Sequence, residues 1–160
     1  MPKFSSMMYD YVIFNLGKST FAFNLDYVAR VIPSVKVVLI PGVPKYLDGV
    51  INLSGEILPS INLFEKFGIN ASHLKVDQKY LIIQSCASKY ALLIDSVESV
   101  VHCEGKSLIK PEKIIKGLER YVERVVEIEN KPIPVFDIEK LLTETELDLI
   151  QNEVKKHNEY

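Results

Sequence analysis

Residues 11–32, YVIFNLGKSTFAFNLDYVARVI, return in pattern at residues 80–101, YLIIQSCASKYALLIDSVESVV, without a gap. Tyr11 then meets Tyr80, Asp26 meets Asp95, Val28 meets Val97 and Val31 meets Val100, at a constant offset of 69 positions. The turns Gly17-Lys18-Ser19 and Ala87-Ser88-Lys89 fall at nearly the same place. A second pair follows at an offset of 75: INLSGEILPSINL (51–63) runs alongside VEIENKPIPVFDI (126–138), setting Pro59 over Pro134 and Asn62 over Asp137. Each half, about residues 9–68 and 79–142, reads as hairpin, Asp-turn, extended strand, loop and hairpin. Such a repeat inside a single domain over residues 1–160 predicts two small similar β units rather than one large sheet. The seam of a duplicated barrel is also a natural place for something to bind.

Along the chain, alternation of apolar and polar residues at period two prevails. Tyr9–Leu16 and Thr20–Leu25 are expected to form a hairpin about Gly17, and Val35–Ile40 another strand, ended by the two prolines of Pro41-Gly42-Val43-Pro44. Val50–Leu53 and Ile57–Leu63 pair about Ser54-Gly55, where glycine can take positive φ. Phe64–Phe67 reads as one helical turn stopped by Gly68. The second half offers Lys79–Ser85, Tyr90–Ile94 and Val97–His102, then a lysine-bearing loop from Glu104 to Lys116, and a hairpin of Val122–Glu129 with Ile133–Ile138 across Asn130-Lys131. From Glu139 the period changes. Leu141, Leu142, Leu147, Ile150 and Val154 fall at helical spacing, predicting an amphipathic C-terminal helix to about His157. Thr143, with Glu146 three residues on, can interrupt it and start it again as a capping box.

With 160 residues of which 48% are apolar, the chain can bury about two thirds of its unfolded surface and needs no staples. Nineteen basic against 21 acidic side chains, a net charge of −2, give no global attraction to nucleic acid or anionic lipid. An RNA-binding module would need a basic face with stacked aromatics, which the balance disfavours. Residues 1–6 are too short and polar for a signal peptide, and no apolar run nears the roughly 18 to 20 residues of a bilayer span, so a cytoplasmic protein is expected. Cys86 and Cys103 read as small buried hydrophobes, and with His73 and His102 they lack the spacing of a zinc site. No nucleophile elbow, phosphate-cradling glycine loop or Cys/His signature is present, which points to binding rather than catalysis. Asp26 and Asp95 are expected to cap local turns rather than act as an acid/base couple.

The run PGVPKYLDGVINLSGEILPSINLFEKFG (41–68) resembles the signature of the CheW-type chemotaxis coupling proteins, a Pro-x-x-Pro loop followed by GVxNLRGxIxPVxDLxxxFG. FNLGKSTFAFNLDYVARVI resembles the family's opening FxLGxExYxxxIxxVxEI, ALLIDSV its LLVDxV, and VFDIEKLL its closing LLDxxKLL. Four motifs in order cover about Tyr9 to Leu142. The resemblance implies a mainly β fold of two SH3-like five-stranded β-barrel subdomains around a shared core, with the C-terminal helix added. It also implies a non-catalytic adaptor without cofactor or metal, monomeric alone, that couples the cytoplasmic tip of a methyl-accepting chemoreceptor to the regulatory domain of a CheA-type histidine kinase.

Carried over residue by residue, the receptor-binding positions are Val28, Arg30 and Val31 of VARV, and Asn52, Leu53, Ser54, Gly55 and Glu56 of the NLSG turn and its successor. The kinase-binding positions implied are Lys110, Pro111 and Glu112. Two departures stand out: the family's arginine in NLRG is Ser54, and the glutamate of VxEI is Arg30. Arg30 is therefore expected to take over part of the role vacated at Ser54, with Glu56 as its partner. Asn62, in place of the usual aspartate, keeps a hydrogen bond and loses a charge. Two alternatives remain open on the same residues: an adaptor for a non-flagellar chemosensory pathway, such as one controlling pili, and a small-ligand-binding β-barrel.

Overall fold

The computed structural model describes residues 7–71, 77–86, 88–104 and 117–158. Among these residues ten strands and three α-helices follow in the order β1 (Met8–Leu16), β2 (Ser19–Asn24), β3 (Val28–Pro33), β4 (Leu47–Leu53), β5 (Glu56–Asn62), α1 (Leu63–Phe67), β6 (Lys79–Gln84), β7 (Lys89–Ile94), β8 (Ser96–Glu104), β9 (Val122–Ile128), β10 (Lys131–Phe136), α2 (Ile138–Leu141) and α3 (Glu144–Asn158). They form two five-stranded sheets of order β8-β1-β2-β10-β9 and β3-β6-β7-β5-β4. The two orders become one when β1 to β5 are exchanged with β6 to β10. Neither sheet is built from one half of the sequence. Each takes its leading hairpin from one half and its other three strands from the other, so the two units are interlaced.

That interlacing explains why the leading hairpins are apolar on both faces. Tyr11, Ile13 and Ala22 of β1 and β2 join Val126, Ile133 and Val135 in one buried cluster inside the first sheet's curve. Alternate residues of the same strands, Val12, Phe14, Leu16, Phe21 and Phe23, point the other way into the large core shared with the second sheet. Phe136 sits at the centre of that aromatic group, 4.7 Å from Phe21 and 5.7 Å from Phe23 between ring centroids. Truncating it to alanine would cost about 3–5 kcal/mol.

Local chemistry sets the ends of the elements. The β4–β5 hairpin turns on Ser54 (φ 53°) and Gly55 (φ 91°), and the β9–β10 hairpin on Glu129 (φ 52°) and Asn130 (φ 64°). Two successive positive φ values match the right-handed strand twist, and they place the second turn one residue before the expected Asn130-Lys131. Asn62 caps α1 by accepting from the Glu65 amide at 3.1 Å, and Gly68 ends it in the left-handed conformation. Asp137 caps α2 in the same manner. Thr143 and Glu146 form the reciprocal capping box: Thr143 N donates to Glu146 Oε1 at 2.9 Å, and Glu146 N to Thr143 Oγ1 at 3.1 Å.

Three expectations are overturned. Val35–Ile40 is not a strand. β3 stops at Pro33, which cannot donate to a ladder, and only Val38 pairs beyond it, as an isolated bridge to Val50 of β4. The contacts of the two aspartates differ from the local caps expected. Asn24 accepts from the Asp26 amide at 2.9 Å, whereas Asp95 is fully buried and accepts from Gly17 N at 2.6 Å across the fold. Cys86 is exposed and Cys103 half-buried, because Cys86 lies in the β6–β7 turn rather than on a strand.

Candidate partner-binding surface

The first candidate segment, β3, is the edge strand of the second sheet and pairs only with β6. Val28 is half-buried against the core, Arg30 is exposed, and Val31 is 42% exposed. Tyr27, just before the strand, is exposed as well, whereas the exposed Val35, Val38 and Leu39 lie beyond it, where Val38 bridges to Val50 of β4 at the opposite edge of the sheet. An edge strand with unpaired backbone groups and an exposed valine is a surface that a partner can cover.

The second segment is the β4–β5 tip. Asn52 spends its side chain inside the turn, accepting from Gly55 N at 2.8 Å, and Leu53 packs half-buried against the core. Ser54, Gly55 and Glu56 are exposed. Glu56 is not the partner of Arg30. Its Oε1 accepts from Lys89 Nζ at 2.7 Å. The strand order explains this, since β6 and β7 separate β3 from β5, roughly 14 Å at about 4.8 Å per strand spacing. Arg30 has no ion-pair partner among the described residues.

The register nonetheless brings the two segments to one end of the sheet. Val28 pairs with Ile83 at the end of β6, and Ile83 with Tyr90 at the start of β7. β5 runs parallel to β7 with Ser60 opposite Ala91, so Leu58 and Pro59 lie level with Lys89 and Tyr90 and the strand begins beside the β6–β7 turn. The start of β3, the β6–β7 turn and the Ser54-Gly55 turn therefore share one end. Lys110, Pro111 and Glu112 lie outside the described residues.

At this end α3 leaves a cleft of about 770 Å³ over β5 and β7. Ile57, Pro59, Tyr90, Leu147, Ile150 and Val154 give it apolar walls, and Ser54, Glu56, Lys89, Gln151 and Lys155 stand around its mouth. Sequence reasoning missed this feature. The helical period had marked Leu147, Ile150 and Val154 as one apolar face, but nothing in the sequence tied that face to the β4–β5 turn.

The far end of the helix is anchored by charge. Lys66 Nζ of α1 donates to Glu146 Oε2 at 2.9 Å, with the lysine side chain 7% and the glutamate 18% exposed, and lies 4.3 Å from the Tyr46 ring centroid. Burial alone would raise the Glu146 pKa. Hydrogen bonds from the Thr143 amide, Tyr46 and Lys66 outweigh it and hold the carboxyl down at about 2. Tyr46 is pushed up in turn by burial and by its bond to Glu146. Among the described residues no group of three or more His, Cys, Asp or Glu could hold a metal ion, and no helix is long and apolar enough to cross a membrane.

Comparison with known proteins shows what this architecture is similar to. The CheW-like domain family matches residues 10–146. The chemotaxis protein CheW of Treponema pallidum is 30% identical over 146 residues, covering 88% of this chain and 86% of that protein. The Protein PilI of Pseudomonas aeruginosa is 26% identical over 89 residues, 56% of this chain and 50% of that protein. Among solved structures, the scaffolding protein TtCheW of Thermoanaerobacter tengcongensis superposes with a TM-score of 0.76 at 25% identity, over 86% of this chain and 90% of that one.

Proposed function

The chain belongs to the CheW family, a family of chemotaxis adaptors, and from that premise we propose that it couples a chemoreceptor's cytoplasmic tip to the regulatory domain of a CheA-type kinase in the cytoplasm, without catalysing a reaction. The observation that carries the reading is the family match across both sheets together with an exposed apolar edge, β3, at the same end as the β4–β5 turn. On this reading Val28, Arg30 and Val31, with the Ser54–Glu56 turn, meet the receptor, and Lys110, Pro111 and Glu112 meet the kinase. Arg30 acts alone: its guanidinium is exposed and available to a receptor carboxylate or backbone carbonyl.

An adaptor of this kind works by geometry. Each contact is modest, and holding two partners on one rigid body turns the second encounter into a high effective concentration. The interlaced sheets supply the rigidity, because neither can shift without moving strands of the other. The test is a pull-down from cell extract with the purified chain as bait. Recovery of a chemoreceptor together with a CheA-type kinase is expected, and recovery of neither contradicts the proposal. The similarity to Protein PilI favours a second reading, the same adaptor in a non-flagellar chemosensory pathway, which the identity of the recovered kinase separates from the first.

A further inference from the structure

The cleft under α3 opens directly at the turn assigned to the receptor, and the two share Ser54, Gly55 and Glu56. We infer that this cleft seats the apolar ridge of an amphipathic receptor helix carrying an acidic residue beside that ridge. The inference rests on the proposed receptor reading and adds a second wall to that site, made by α3 rather than by either hairpin.

Three observations point to this occupant. The cleft continues the receptor-side turn, so a helix laid along Ser54-Gly55 meets its mouth without leaving the surface. Its walls are apolar side chains of α3 on one side and of β5 and β7 on the other, held at a fixed separation. Ile150 is buried in the core and Glu146 is tied to Lys66, which pins α3 at its first turns, while Gln151 and Lys155 one turn on stand exposed at the rim. A groove of about 770 Å³ between a helix and a sheet suits the side chains of a helix ridge better than a flat contact does. The charge at the mouth is also specific. Lys89 is neutralised by Glu56, whereas Lys155 has no ion-pair partner among the described residues, leaving one uncompensated cation beside an apolar slot. An acidic side chain flanking the ridge would complete that pair as water leaves the groove.

The test is isothermal titration of the full chain with a soluble receptor cytoplasmic-tip fragment, and in parallel with the isolated kinase regulatory domain. Gln151→Trp fills the cleft from an exposed position and is expected to weaken receptor-tip binding at least tenfold while leaving kinase-domain binding unchanged. Lys155→Glu should weaken receptor binding severalfold, with a smaller difference from wild type as salt rises. If wild type binds the receptor tip and Val28→Asp loses it, but both α3 variants bind as wild type does, the cleft inference falls and the receptor reading stands. If wild type does not bind the tip at all, both fall. Loss of kinase-domain binding in Gln151→Trp, or a wild-type dimer in sedimentation that this variant abolishes, would assign the cleft to the kinase or to a second copy and overturn the inference. Should the tryptophan variant fail to fold by circular dichroism, Lys155→Glu decides alone, and unchanged affinity there overturns it.

Discussion

The two sheets share one strand order and one pattern of buried positions, yet they are closed and filled by different means. In the second sheet the chain beyond β3 crosses β4 so closely that a Cβ on Gly49 would lie 2.1 Å from the Val38 carbonyl oxygen. The equivalent position in the first sheet, 75 residues later, is Arg124, whose guanidinium lies 5.0 Å from the Tyr9 ring centroid. Inside the curve, Tyr80 of the second sheet shares a hydrogen bond of 3.0 Å with Ser60. Its equivalent Tyr11 faces the counterpart of Ser60, which is Val135, and its hydroxyl has no hydrogen-bond partner among the described residues. Only the second sheet carries α3. A duplicated scaffold can thus keep its backbone pairing while each copy is tuned separately, and here the copy with the tighter closure is the one that carries the candidate receptor surface.

The largest effect is expected from Gly49→Ala. Gly49 has φ 148° and no room for a side chain, so the substitution should cost about 2–5 kcal/mol through strain and displacement of the Val38 bridge. Arg124→Ala at the equivalent position should cost less, about 0.5–2 kcal/mol, for its contacts with the Tyr9 ring and with Glu123 at 3.4 Å. Chemical denaturation of both variants checks this, and equal losses would show that the two closures are energetically alike.

Next in size is the tyrosine pair. Ser60→Val leaves the buried Tyr80 hydroxyl without its partner and should cost about 1–3 kcal/mol. Adding Tyr80→Phe should recover most of that loss by removing the hydroxyl that Ser60→Val leaves unpaired. Tyr11→Phe should be neutral or slightly stabilising, because the hydroxyl it removes is already unpaired and desolvated, its pKa pushed up to about 12 chiefly by burial. A clear destabilisation by Tyr11→Phe would mean that Tyr11 is satisfied after all.

A pH-dependent effect concerns the helix. Glu146 has a folded pKa near 2 against 4.5 unperturbed, so its contribution is fully present above about pH 4.5 and is lost as pH falls towards 2. Its partial exposure limits that contribution to about 1–2 kcal/mol. Glu146→Gln should lower stability by about that amount above the window and change little near pH 2, which flattens the profile between, as thermal melts between pH 2 and 6 would show.

Much of this was legible in the sequence for a definite reason. The offsets of 69 and 75 identify equivalent strands, and both sheet orders respect those equivalences. The capping box at Thr143 and the Gly68 stop involve residues three to five apart, so local chemistry decides them. Long-range choices were not legible. Which hairpin joins which three strands, and hence that Glu56 meets Lys89 rather than Arg30, depends on pairings between halves that no local pattern encodes. Asp95 went wrong for the same reason: its hydrogen-bond partner, Gly17, is 78 residues away. The cleft under α3 arises only when a helix from one end of the chain is laid over strands from its middle.

On the proposed function, one body carries two separate partner surfaces, with the receptor surface at the β3 and β4–β5 end of the second sheet. Val28→Asp tests it most directly, measured for fold by circular dichroism and for binding by titration with a receptor-tip fragment and, separately, with the kinase regulatory domain. A charge at this half-buried edge must be desolvated when the receptor docks, so at least tenfold weaker receptor binding is expected with kinase binding and the fold unchanged. A folded variant that binds the receptor tip as tightly as wild type, or that loses both partners together, would contradict the claim.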